Sequence, residues 1–119
     1  MHYNPFTILN ELYKTFDKNK SSTLYWEYTD KNNNEVLVDS LRHPFLYSST
    51  NEFFKQDELI TKQLKDSIIN SNTIIISFAI SEIWEQKVNN KWIIINRTPP
   101  DELLFDNRYV FRHRNLSLL

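Results

Sequence analysis

Apolar residues along this chain switch between two spacings, and the switches mark its elements. Phe6, Leu9, Leu12, Tyr13 and Phe16 recur every three or four residues, which is one stripe down a helix. Asn4-Pro5 ahead of them is a helix start, because asparagine caps and proline suits the first helical position. A first helix is predicted over about residues 5–17, ended by the polar run Asp17 to Ser22. From Thr23 to Thr29 the spacing changes to two: Leu24, Trp26 and Tyr28 alternate with more polar neighbours, as in a half-buried strand. Glu35 to Asp39 returns as a second strand across the turn Asp30-Lys31-Asn32-Asn33-Asn34, where asparagine accepts the left-handed conformation.

Pro44 breaks the pattern between residues 42 and 55, yet Phe45, Leu46, Tyr47, Phe53 and Phe54 are too apolar for an idle loop. They are expected to fold back over the sheet. Leu59, Ile60, Leu64 and Ile68 then define a second amphipathic helix over 56–69, with Asp57, Glu58, Lys62, Lys65 and Asp66 on its solvated side. Thr73 to Ser81 is the most apolar run, with Ile74, Ile76, Phe78 and Ile80 on one face and Ile75, Ser77, Ala79 and Ser81 on the other. It is expected to pair with Lys91 to Asn96 through a turn at Asn89-Asn90, a hairpin spanning 73–97. Strands apolar on both faces are an aggregation hazard at an edge, so this hairpin is placed in the middle of the sheet. Asp101 to Phe105 reads as a helical turn with acids at its start. Arg108 to His113 reads as a last strand, followed by the apolar tail Leu116 to Leu119.

The order α-β-β-α-β-β-(β) predicts an α+β fold: a mainly antiparallel four- to five-stranded sheet with two helices packed on one face. A single globular domain over residues 1–119 is expected, since 40% hydrophobic residues at a net charge of −1 can bury a core.

Composition removes several classes of function. There is no cysteine, hence no disulfide and no thiolate metal site, which fits a reducing compartment. The first residues lack a basic segment followed by an apolar run, and Ile74 to Ile80 is far short of the ~20 residues of a membrane helix, so a cytoplasmic location without membrane contact is expected. Fourteen basic against 15 acidic residues argue against a dedicated nucleic-acid binder. Glycine is absent altogether, although an average chain holds about 7%. Phosphate-cradling loops, nucleophile elbows and dinucleotide fingerprints all need it, so no cofactor is expected. Abundant Asn, Lys and Ile suggest an A/T-rich gene, a hint of a microbial mobile element.

Candidate chemistry is sparse. His2, His43 and His113 lack metal-ligand spacing, and no metal site or catalytic residue is assigned. Glu82 falls on the phase of Ile80 and Trp84, where burial would raise its pKa. A β-bulge near Ser81, or a strand end leaving the core, accounts for it more simply by turning Glu82 outward and Ile83 inward. Arg108, Arg112 and Arg114, interleaved with Tyr109 and Phe111, form a candidate basic patch for RNA; the same alternation describes a half-buried edge strand. Tyr25, Glu27, Asp30, Glu35 and Asp39 on the first hairpin are the candidate docking surface, since tyrosine is enriched at interfaces and acids steer association with a patch of complementary charge. The leading expectation is a small non-catalytic protein-binding module, in its concrete form an immunity or antitoxin-type inhibitor that plugs a partner's active site. One alternative is a small enzyme or ligand-binding domain with a pocket between sheet and helices, using Glu82 or His113. The other is a nucleic-acid-associated protein using the basic C-terminal strand. The expected partner is another protein, and a homodimer through the 73–97 hairpin or the Leu116–Leu119 tail is compatible with each.

Overall fold

Asn4 opens the first helix, α1 (Pro5–Phe16), as its sequence dictates. Its backbone is extended, and its side-chain oxygen accepts the Phe6 and Thr7 amides at 3.0 Å, while Pro5 takes the position that needs no N–H. The structure, a computed structural model, describes residues 4–42, 46–76, 82–96 and 98–115. α1 buries its polar stripe: Thr7, Glu11, Lys14 and Thr15 are inside. Phe6, Leu9 and Phe16, on the stripe that spacing assigns to the core, are 40, 42 and 57% exposed. A stripe of charge is buried only where partners satisfy it, and those partners are described below.

A short 3-10 turn at Lys18–Lys20 leads to β1 (Tyr25–Thr29) and β2 (Glu35–Asp39), which pair antiparallel with Tyr25 opposite Asp39 and Thr29 opposite Glu35. Asn33 carries the positive φ (64°) of the turn, in place of glycine. β3 (Leu46–Tyr47) adds to the far side of β2 and completes a three-stranded sheet. α2 (Thr50–Ile69) begins at Thr50 rather than near Gln56, because Ser49 caps it by accepting the Glu52 amide at 3.1 Å. Phe53 and Phe54 therefore lie in the helix. Phe53 is fully buried and packs on the rings of Tyr25 (5.1 Å) and Tyr47 (5.3 Å), so it does cover the sheet as expected.

The apolar 73–97 hairpin does not form as expected. Among the described residues of its first half, 73–76 are not strand, and Ile75 is 90% exposed; residues 77–81 lie outside the described residues. The strand partner of β5 (Lys91–Ile95) is instead β4 (Glu82–Val88). The turn explains why. Asn89 and Asn90 both have positive φ (50° and 63°), a two-residue turn of the kind that matches strand twist. It pairs Val88 with Lys91 and then Trp84 with Ile95. Counted on at this register, a strand at 73–76 would need 103–106 as its partner, a stretch that begins inside the helix Asp101–Leu104. The segment 82–88, more polar and less obvious, is the one placed by register.

β6 (Phe111–Asn115) pairs with the other side of β4, and α3 (Asp101–Leu104) precedes it. The last strand is thus shifted from the expected 108–113, and Arg108 and Tyr109 stand before it. The tail 116–119 lies outside the described residues. Among the described residues, two separate three-stranded antiparallel sheets, ordered β1-β2-β3 and β5-β4-β6, with three α-helices replace the single four- to five-stranded sheet with two helices on one face. β5 is an edge strand, not a central one.

The sheets meet through one face each. Trp26 and Tyr28 of the first, and Trp84, Ile93, Ile95 and Phe111 of the second, enclose a core closed by Leu41 and Leu103. Trp26 Nε1 donates across this core to Gln86 Oε1 (2.8 Å), which gives the buried indole its partner. At one corner the Ser40 carbonyl accepts the Asn96 amide (3.0 Å), while Ser40 N–H reaches the Leu24 carbonyl, so a backbone seam joins the two sheets. Asn4 Nδ2 donates to the Ile95 carbonyl (3.0 Å) and fastens α1 to the same corner.

Because Asn90 holds a left-handed conformation, Asn90→Gly should keep or raise stability, and Asn90→Val should lower it by about 1–2 kcal/mol in urea unfolding. Equal midpoints for the Val variant and the natural chain would contradict the turn.

Candidate functional site

The polar stripe of α1 is buried against a single arginine. Arg42 follows β2 and points its guanidinium between α1 and α2. Nε donates to Glu11 Oε1 (2.6 Å) and Nη2 to Glu11 Oε2 (2.9 Å), a forked pair. Nη2 also donates to Thr61 Oγ1 (2.8 Å), and Nη1 to the Asp57 carbonyl and carboxylate (both 3.0 Å). These contacts use all five N–H groups of the guanidinium. Asp57 also binds buried Lys14. Two carboxylates and two cations thus balance in a nearly closed network that ties α1 to α2 and to the end of β2.

Asp39 lies beside this network and leaves it unbalanced. Its Oδ1 accepts the Leu41 and Arg42 amides (both 2.8 Å), while buried Oδ2 has no hydrogen-bond partner among the described residues. Burial pushes its carboxyl above the ordinary value, against the pull of those two amides and of the Lys14 and Arg42 charges. Tyr47, near it, is pushed up by burial and by the Asp39 charge. Of the expected docking acids, Asp39 is therefore a buried turn-former at 1% exposure, not a surface group. Tyr25 is half-buried under Phe53 and Phe54. Asp30 builds the hairpin turn, accepting the Asn34 and Asn32 amides (2.9 Å each), and these hold its carboxyl below the usual range.

Glu27 and Glu35 are exposed. With Thr29 opposite Glu35 and Glu27 opposite Leu37, the two acids are diagonal neighbours on one face of the hairpin. They line a groove of about 380 Å³ that Tyr47, Ser48 and Ser49 close on one side and Arg108 on the other. The groove thus joins two of the five expected hairpin residues to one of the three expected basic-patch residues.

The arginines do not form one patch. Arg108 forks onto Asp106 and donates to the Glu27 carbonyl (3.2 Å). Arg112 and Arg114 project from β6 and clamp buried Glu85, with Arg114 bonds of 3.0 and 2.7 Å. Burial pushes the Glu85 carboxyl up, but Arg112 and Arg114 outweigh it and hold it below its usual range. Arg112 also stacks on Trp92, 4.1 Å from the ring centre. Glu82 is exposed and Ile83 buried, the outward turn expected of a strand end; Glu82 lies 3.4 Å from His113 Nε2 across β4 and β6. His2 and His43 fall outside the described residues. Among the described residues no cluster of His, Asp and Glu is arranged to hold a metal, and no helix is long and apolar enough to cross a membrane.

Glu11, Lys14, Arg42, Asp57 and Glu85 were not among the expected site residues. Their signal was available in part: Thr7, Glu11 and Lys14 make a second, polar stripe on α1, and Glu85 shares the phase of buried Ile83.

Folding raises the Asp39 pKa, so the folded chain holds that proton more tightly than the unfolded one. The stability tied to this group is complete below its ordinary value of 3.8 and is lost as pH rises through the folded value. Asp39→Asn keeps the Oδ1 acceptor and removes the charge. Between about pH 3.5 and pH 7 the urea midpoint of the variant should move upward relative to the natural chain. Parallel profiles would show that Asp39 is not protonated more tightly in the fold. Compared with protein-family models, with curated proteins and with solved structures, the chain matches none.

Proposed function

We propose that this chain is a small non-catalytic protein-binding module, in its concrete form an inhibitor of the immunity or antitoxin type acting in the cytoplasm. Its docking face is the first hairpin. The observation that carries this reading is the exposed pair Glu27 and Glu35, diagonal neighbours on one face of the hairpin with Arg108 as the cation beside them in the groove. Like charges in such a position repel, and a partner bringing a lysine or arginine into the groove relieves that repulsion. The acids also attract a basic partner from a distance, which speeds association.

Two further features favour side-chain docking on this surface. The outer edge of β1 is blocked at Glu27, whose N–H donates to the Tyr109 hydroxyl (3.3 Å) and whose carbonyl accepts from Arg108, so a partner strand cannot add there. Glu11, Arg42, Asp57 and Lys14 are engaged with one another in ion pairs. That arrangement suits a rigid scaffold better than acid–base chemistry.

The test is affinity capture from the native host with the natural chain and with a Glu27→Arg/Glu35→Arg variant. A single partner recovered near stoichiometry by the first and lost by the second is the expected result. Equal recovery by both, or recovery by neither, overturns the reading.

A further inference from the structure

A second cavity, remote in character from the acidic hairpin, lies where the end of α1 meets the middle of α2. Its volume is about 280 Å³. Lys14 and Thr15 come from α1, Lys18, Ser21 and Thr23 from the connection to β1, and Asp57, Glu58, Thr61, Lys62 and Lys65 from α2. Two helical stripes face each other across it. Residues 58, 61, 62 and 65 recur at helical spacing on α2, and 14, 15 and 18 on the other wall.

The charge in this cavity is not balanced. Asp57 is consumed at its floor by buried Lys14 and by Arg42. Lys18, Lys62 and Lys65 are exposed, and none has a carboxylate within ion-pair distance among the described residues, whereas nearby Lys20 pairs with Asp17. Three exposed lysines therefore line one opening with Glu58 as the remaining carboxylate on its wall, in a chain whose net charge is −1. Every residue of the lining is charged or hydroxylic. A ligand held there meets ammonium and hydroxyl groups carried on aliphatic stems, with no aromatic ring among the described lining for a base to stack on.

The geometry points to an anion site between α1 and α2 that takes the diphosphate or triphosphate group of a small molecule, with Lys18, Lys62 and Lys65 as its ligands. Lysine suits the task, since its ammonium is a compact point charge with three donors that swing to meet phosphate oxygens. The cavity is smaller than a pocket for a whole drug-sized molecule, so the phosphates enter and the rest of the ligand stays outside. The Thr23 hydroxyl on the rim supplies a further donor. This glycine-free site uses side chains for what backbone amides do in a phosphate-binding loop. It is independent of the hairpin, and the Glu27→Arg/Glu35→Arg variant should retain it.

The test uses the full chain and inorganic pyrophosphate, by titration calorimetry at low ionic strength. One saturable site is expected, weakened by added salt. The exposed pair Lys62→Gln/Lys65→Gln should weaken it at least about tenfold, and Glu58→Gln should tighten it, because that change removes the opposing charge. Far-ultraviolet circular dichroism checks that the variants keep the fold. Three results overturn the proposal: no saturable binding by the folded natural chain, unchanged affinity in the double variant, or a short single-stranded oligonucleotide that binds more tightly and displaces pyrophosphate.

Discussion

The structure depends on where the Arg42 guanidinium is held. A buried arginine with any of its five donors unmet would cost more than its attractions return, and such an ion is tolerated only inside a complete set of partners. Glu11, Asp57 and Thr61 provide that set, and they lie on α1 and α2. Satisfying one side chain therefore fixes the rotation of α1, the approach of α2 and the path of the chain after β2 together. Removing one member of such a group typically costs about 3–5 kcal/mol, because the others stay buried without a partner. Apolar burial is indifferent to orientation by comparison. The apolar stripe of α1, if it alone decided, would turn inward; the network turns Glu11 and Lys14 inward instead.

Function is distributed around this fixed centre. The two surfaces with unrelieved charge have opposite sign and sit on opposite kinds of scaffold. Glu27 and Glu35 ride on a hairpin that Phe53 anchors through Tyr25 on the same face, while Lys62 and Lys65 ride on α2, which the network clamps, and Lys18 on the turn after α1. The basic residues near the C-terminus are spent differently: Arg112 and Arg114 neutralise the buried Glu85, and Arg108 closes the exposed edge of β1. An arginine-rich strand in sequence thus becomes a structural device in space.

Much of the local structure was legible in the chain. Asn4-Pro5 started α1, Asn89-Asn90 turned the second hairpin without glycine, and the alternation of Leu24, Trp26 and Tyr28 marked the face that meets the core. What was not legible came from two physical causes. Apolar content alone pairs 73–80 with 92–95, whereas the two-residue turn gives Trp92 to Ile95 the partners Lys87 to Trp84. And the charged face of α2, solvated by its spacing, is so at Glu58, Lys62, Lys65 and Asp66 but not at Asp57, while the apolar stripe of α1 gives way to Glu11 and Lys14, because partners 31 and 43 residues away decide burial. Long-range pairing leaves no periodic trace in the sequence. The candidate site was only partly foreseen for the same reason: Glu27 and Glu35 face a common groove, whereas Asp39, two residues beyond Leu37 on the same face, is inside because Arg42 and Leu41 fold back onto it.

The central claim is that the Arg42 side chain is sealed and fully engaged, and its own Nε–H reports on that. In a ¹⁵N-resolved hydrogen-exchange experiment this proton should persist as long as the slowest amides of α1 and α2 and disappear with them, while the Nε–H of exposed Arg108 is lost at once. An Arg42 Nε–H that exchanges as quickly as that of Arg108, with the helices still protected, would contradict the account.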